Sequence, residues 1–442
     1  MTLGLEALQA EVAAIKPVKR VGRVTAIEGG CVLVSGLCDI AALGDMVKIV
    51  RKNDAIVLAE VSQLKSEYLV LFPDGRLDGV QVGDRIVHLG RDLIWPDENW
   101  LGRVIDPYGN ALDGLPLLRG REGMPLQGGP VNPAQRRGLG ARLQTGLSVL
   151  NTVLPIVRGQ RVGLFAGSGV GKSTLLGKLA TGLQADVVVI ALVGERGREV
   201  QEFVEKIMGS SGMSRAVVVA ATSDRSAIMR RRCARAATTI AEYFRDQGNH
   251  VVLVLDSVTR FAQAHREIAL ASGEPGTLGG FPPSVSQEIS QLCERAGPGI
   301  EFNGDITAIF SVLVAGSDME EPIADMLRGV LDGHIVLDRS IAERGRFPAI
   351  DVLRSVSRSL PEAADDLENK LISRTRQALN VYEQNEMMIR ASLYSAGSNH
   401  TIDEAIEVWP KLDRFFASSE ADSIEESFKK LEACFLVEGD TI

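Results

Sequence analysis

The chain has 442 residues, 45% of them apolar and 24% charged, enough for two or three domains with a buried core. Its formal net charge of −9 disfavours a surface that coats DNA or RNA. The five cysteines, Cys31, Cys38, Cys233, Cys293 and Cys434, are scattered without metal-ligand spacing, so neither a disulfide framework nor a zinc site is expected.

Leu3, Leu5, Leu8, Val12 and Ile15 recur at mostly three- and four-residue steps before Pro17, the pattern of an amphipathic helix over residues 1–17. Such a helix is too short to be stable alone. Its stripe docks either on the body of this protein or on a separate partner that folds it on binding. The N-terminus lacks a basic start followed by an apolar run, and no segment approaches ~20 uninterrupted apolar residues. The expectation is a cytoplasmic protein whose membrane association goes through partners.

Residues 18–90 carry short β-rich runs at 23–27, 31–35, 46–50, 55–61 and 68–72, punctuated by Gly and Asp, which predicts a small β-barrel. A connector follows over about 91–140, broken by the turn Asp106-Pro107-Tyr108-Gly109-Asn110 and by Gly128-Gly129-Pro130. Apolar strand candidates at 161–166, 186–193, 216–221, 250–256 and 306–314 then alternate with helical patterns such as 172–183 and 226–245. That alternation is the mark of an α/β domain with a mainly parallel sheet, taken as 91–355. After Pro361 the strand signal fades, and 362–394 and 403–436 read as helices of a C-terminal domain, 356–442.

The chemistry centres on Ala166-Gly167-Ser168-Gly169-Val170-Gly171-Lys172-Ser173, which follows a predicted strand and opens a predicted helix. In that context backbone N–H groups cradle phosphates and the helix N-terminus favours negative charge. Ala166 stands where the usual pattern begins with glycine, while Gly169 and Gly171 remain where the backbone must approach the phosphates. Lys172 is expected to reach the β- and γ-phosphates of ATP and Ser173 to ligate Mg²⁺, with the Thr174 hydroxyl nearby.

Asp256 ends an apolar strand and is placed to hold the Mg²⁺ shell through water. Glu195 directly follows another strand, at the edge where a parallel sheet faces its ligand, and is a candidate to polarise the attacking water. Arg358 has no such local support. The run Arg225, Arg230, Arg231, Arg232 and Arg235 on a predicted helix reads as a solvated or subunit-facing stripe, because no aromatics interleave as a nucleic-acid site needs.

On these residues the chain resembles the hexameric rotary ATPase superfamily, and within it the type III protein-export ATPases, most closely the flagellar ones. The stretches that carry the resemblance are PIVRGQR at 155–161, FAGSGVGKS at 165–173, GERGREV at 194–200, IAEYFRDQG at 240–248, DSVTRFA at 256–262, LDGHIVL at 331–337 and ERGRFPAID at 343–351. The resemblance implies a RecA-like P-loop domain between an N-terminal β-barrel and a C-terminal helical domain. It implies that Glu195 is the catalytic glutamate, Arg196 its active-site neighbour, Asp256 the Walker B acid and Arg358 a finger donated to the adjacent subunit. Phe347 falls where the family often stacks a tyrosine on adenine, and phenylalanine keeps the ring face. Residues 273–283 resemble a loop facing the channel of the ring, departing at Gly276 and Gly279–Gly280.

The partners implied are further copies in a homohexamer, a stator-like regulatory protein at the N-terminal helix, a central stalk, export-gate membrane proteins, and export substrates with their chaperones, at the inner-membrane export apparatus. No nucleic acid is expected. A rotary-synthase subunit fits less well, because there the glutamate and the finger come from different subunit types. A RecA-like helicase would need a basic, aromatic-bearing barrel, whereas 18–90 has only Tyr68 and Phe72 as aromatics. A non-hydrolysing scaffold is disfavoured by the filled catalytic positions, and a virulence-type export ATPase is the remaining alternative.

Overall fold

A computed structural model describes residues 18–52, 54–129, 131–277, 279–314, 319–419 and 423–436. The helix expected over 1–17 lies outside the described residues, as does Leu278 in the expected channel loop.

Strands β1 (Val21–Glu28), β2 (Cys31–Ser35), β3 (Met46–Val50), β4 (Ile56–Leu64), β5 (Leu69–Pro73) and β6 (Arg85–Gly90) close into a barrel of order β1-β2-β5-β4-β3-β6. Burial alternates along β4 and β5, as period-two side chains require. Val32, Val34, Val47, Ile49, Ala59, Leu69, Leu71 and Ile86 fill the interior. Five of these strands fall on the β-rich runs of the sequence. The sixth, β6, pairs with β1 on one side and β3 on the other, so it removes the two open edges.

The connector is more regular than its turn residues suggest. β7 (Leu93–Ile94) pairs with β9 (Met124–Pro125), and β8 (Val104–Ile105) joins the main sheet in parallel beside β12 (Ala216–Thr222). The intervening turn is built by Asp106, whose Oδ1 accepts from the backbone N–H groups of Tyr108 and Asn110 at 2.8 and 2.9 Å.

The sheet has the order β17-β16-β10-β15-β13-β11-β12-β8, where β10 is Arg161–Ala166, β11 Val187–Glu195, β13 His250–Asp256, β15 Asp305–Leu313, β16 Gly333–Leu337 and β17 Ile350–Ser357. The short β14 (Gly297–Pro298) pairs antiparallel with β15. β10, β11, β12, β13 and β15 run parallel, so the ends that carry Ala166, Glu195 and Asp256 face one ligand-binding edge. Helix α1 (Lys172–Gly182) packs on one face with Val188, Ile190 and Leu192. Between β11 and β12 lies α2 (Gly197–Glu202), and α3 (Ala227–Asp246) covers the other face with Val189, Ala191 and Val193. Strands covered on both faces read as continuous apolar runs.

Helices α4 (Val258–Ala271), α5 (Pro283–Glu294), α6 (Pro322–Val330) and α7 (Arg339–Glu343) complete the domain. β17 ends at Ser357, two residues beyond the boundary expected at 355. Beyond it α8 (Asp366–Arg390), α9 (His400–Ala417) and α10 (Ile424–Ala433) follow, so the single helix expected over 403–436 is two. α8 opens on a capping box, with Glu368 N donating to Asp365 Oδ1 at 2.8 Å and Asp365 N to Glu368 Oε2 at 3.1 Å, worth about 1 kcal/mol. Leu412, Phe416, Phe428 and Leu431 of the last two helices share a core with Leu147, Val149 and Leu150, so this part is packed onto the sheet domain.

The arginine run departs from expectation in part: Arg225 is exposed ahead of α3 and Arg230 is half-buried on it, but the next three are not a surface stripe. Arg231, Arg232 and Arg235 are buried, where a solvated or subunit-facing stripe was expected. Arg231 pairs with Glu60 on β4 of the barrel, Arg232 with Asp92, and Arg235 with Glu288 on α5 at 2.5 Å. Arg232 also donates to the Pro107 carbonyl at 2.9 Å and lies 4.3 Å over the Tyr108 ring. Arg231 and Arg232 tie the barrel and the connector to the sheet domain, and Arg235 joins two of that domain's helices. Arg231→Met is expected to cost about 3–5 kcal/mol in urea unfolding, because it strands the Glu60 carboxylate, and adding Glu60→Leu is expected to recover most of it. A single-variant loss below about 1 kcal/mol, the worth of an exposed pair, would contradict the buried clamp.

Candidate active site

β10 delivers the chain to the phosphate loop through Ala166, which is fully buried and pairs with Leu313 and Leu337. Its methyl group belongs to the core beneath the loop, which is why alanine serves where the usual pattern has glycine. Past it the loop turns through Gly169 (φ 79°) and Gly171 (φ 85°) in left-handed backbone, conformations that only glycine adopts freely. At Gly171 an added Cβ would also crowd the Phe347 ring at 3.3 Å.

Lys172 is the first residue of α1. Its ammonium pairs with the Asp256 carboxylate and lies 3.8 Å from Glu195 Oε1. Asp256, 3% exposed, also accepts from Ser311 Oγ at 2.6 Å. Burial, then the nearby Asp256 carboxylate, pushes the Glu195 carboxyl up to about 7, against the opposing pull of Lys172. A carboxyl poised near neutral pH is matched to moving a proton.

Ser173 and Thr174 are exposed on the first turn of α1. The donor set fits a Mg²⁺ ion shared with a nucleotide: a serine hydroxyl at a helix start and a carboxylate across the cleft, the phosphates and water supplying the rest. Arg196 is exposed, 3.6 Å from Glu199. Gly167, Ser168, Val170 and the other loop residues line, with Glu195 and Arg196, a cleft of about 980 Å³.

Phe347 is 51% exposed, with its ring beside Gly171 of the loop. Arg358 is outside this assembly. It follows β17 at the outer edge of the sheet, is exposed, and donates to the Arg328 carbonyl at 2.9 Å.

Two further arginines line the cleft without having been singled out in the sequence, Arg260 and Arg339. Arg260 stands one turn beyond Asp256 inside the DSVTRFA stretch, and an added Cβ at Gly194 would meet its stem at 3.4 Å, so the motif held the signal. Arg339 follows β16, a strand not anticipated.

Fold and cleft together define a P-loop ATPase. Residues 146–357 match the ATP synthase alpha/beta family, nucleotide-binding domain, and residues 364–433 match the T3SS EscN ATPase C-terminal domain. The chain is 45% identical to the flagellum-specific ATP synthase of Caulobacter vibrioides over 97% of its length and 98% of the relative's. It is 41% identical to the type 3 secretion system ATPase of Xanthomonas euvesicatoria over 98% and 97%. The assembled ATPase EscN of enteropathogenic E. coli, solved with its central stalk EscO, superimposes with a TM-score of 0.84 at 37% identity, over 94% of this chain and 100% of that one. The chain belongs to the family of flagellum-specific ATP synthases and type III secretion ATPases.

Proposed function

We propose that the chain is one subunit of a homohexameric ring that hydrolyses ATP to energise flagellar type III protein export, releasing and unfolding substrates at the export gate. The shared-site part of this reading is supported by one observation: Lys172 lies against both Glu195 and Asp256 beside the phosphate loop, whereas Arg358, exposed at the outer edge of the sheet, has no part in that cluster and in this reading serves the cleft of a neighbouring copy. Lys172 and the loop backbone hold the phosphates, and Ser173 and Asp256 hold Mg²⁺, the latter through water. A Mg²⁺ ion held there would neutralise charge on the phosphates. Glu195 orients and polarises the attacking water, Arg196 adds positive charge beside it, and Phe347 stacks on the base.

The partners in this reading are a stator-like protein at residues 1–17, a central stalk, export-gate membrane proteins, and substrates with their chaperones. The EscN–EscO complex supports the stalk by likeness. No helix among the described residues is long and apolar enough to cross a membrane; the protein acts in the cytoplasm, peripherally on the inner-membrane export apparatus.

The 41% identity to the Xanthomonas relative keeps a virulence-type export system as the alternative. Deleting the gene in its native host is expected to abolish export of filament protein and swimming. Intact swimming with lost effector secretion would assign it to a virulence system.

A further inference from the structure

The segment that presents Phe347 is Arg344-Gly345-Arg346-Phe347-Pro348, between α7 and β17. The two arginines before Phe347 both reach away from the cleft, toward the C-terminal helices. Arg346 is 8% exposed; its Nε lies 3.4 Å from Asp413 Oδ1 on α9 and its guanidinium 5.7 Å over the Phe416 ring. Its Nη2 donates to the Ile350 carbonyl at 2.6 Å, fastening the other end of the segment. Arg344 lies 3.9 Å from Glu386 Oε1 on α8 and 5.6 Å over the Trp409 ring on α9. Trp409 is stacked on Tyr382 of α8 at 4.6 Å between centroids, so the arginine rests on a surface shared by both helices.

Beside the packed core that Ile350 and Val352 of β17 share with α8 and α9, a cavity of about 250 Å³ opens next to this segment, lined by Tyr382, Glu383, Trp409 and Asp413 on the helical side. The contacts that Arg344 and Arg346 make on α8 and α9 are charged and ring-face contacts at the rim of this open space. Contacts of this kind follow a helix shift more readily than a close-packed core does.

We propose that Arg344 and Arg346 are positioning residues that strap the base-stacking ring to α8 and α9, so that the C-terminal helices set the affinity of the site for the base. The proposal rests on Phe347 as the base platform. It makes the coupling selective: the phosphate loop is carried by β10 and α1 and touches this segment only where Gly171 faces the Phe347 ring, whereas Phe347 itself sits on the strap. By reciprocity, a nucleotide that engages the ring biases the position of the helices, and a ligand of phosphates alone does not.

The test uses the full chain and two probes, MgATP and magnesium tripolyphosphate, whose affinities are compared by calorimetry. Phe347→Ala is expected to weaken ATP about tenfold and leave tripolyphosphate unchanged. Glu386→Gln with Asp413→Asn is expected to weaken ATP about fivefold, again with tripolyphosphate unchanged. On the Phe347→Ala background the same pair is expected to change ATP affinity less than about twofold, the signature of action through one ring. Asp413→Glu in place of Asp413→Asn is expected to restore most of the loss. Should Asp413→Asn prevent folding, Glu386→Gln alone carries the cycle.

If Phe347→Ala binds ATP as well as the original chain, the stacking reading fails and the strap falls with it. If Phe347→Ala weakens ATP but the helix substitutions weaken both ligands alike, or multiply independently with Phe347→Ala, the strap alone is overturned.

Discussion

Glu195→Gln is expected to lower turnover at saturating MgATP by at least about a hundredfold while ATP affinity stays within about twofold, since a positioned general base contributes about 10²–10⁴. Glutamine keeps the volume and leaves Lys172, Asp256 and the loop in place, so the phosphate contacts survive. What is lost is the carboxylate at the end of β11. Its raised pKa, about 7, gives the reaction a pH signature. The base works only when deprotonated, so kcat/KM of the original chain is expected to rise through pH 7, and the residual rate of Glu195→Gln to lack that limb.

The same shift has a stability consequence of definite sign. A carboxyl whose folded pKa lies above its ordinary value of 4.5 binds its proton more tightly folded than unfolded. It therefore favours the fold below 4.5 and loses that contribution as pH rises through about 7. At pH 8 the glutamine variant is expected to be more stable by about 1–2 kcal/mol, after discounting for partial exposure of the side chain. Melting curves at pH 5 and pH 8 read this separately from catalysis. Equal stabilities at pH 8 with normal hydrolysis would remove both the strained carboxylate and its role.

Much of this site was legible because its residues are tied to strand ends. Glu195 and Asp256 terminate long apolar runs, and in a parallel sheet the end of such a run is a ligand edge. The phosphate loop announced itself by glycines whose positive φ the structure requires. β16 and β17 were not legible: Gly333-His334-Ile335-Val336-Leu337 opens on a glycine, and β17 alternates apolar residues with Asp351 and Arg354 at the sheet edge.

The arginines of α3 misled for a related reason. Their charge reads as solvated in any local window, whereas Arg231 finds Glu60 across 171 residues and Arg235 finds Glu288 across 53. Burial of a charge is set by partners that only the tertiary fold brings together. Arg358 is the extreme case, since in the proposed ring its function would require a second chain.

Arg358→Ala is expected to lower turnover about 10³-fold, the scale on which an arginine finger stabilises charge in phosphoryl transfer. Binding of ATP to the altered chain is expected to persist, because its own cleft is lined by Lys172, Glu195 and Arg260 and does not include position 358. In the proposed ring the defect is therefore expected in the neighbour's site.

Mixing Glu195→Gln chains with Arg358→Ala chains tests the shared site most directly. Each is inactive alone by a different route. In a head-to-tail ring assembled at random from equal amounts, about a quarter of the interfaces pair an intact Glu195 with an intact Arg358. Steady-state hydrolysis of the mixture is expected to climb toward that fraction of the original rate, far above either variant alone. A mixture that assembles into rings yet stays as inactive as its components would contradict a site completed across two copies of this chain.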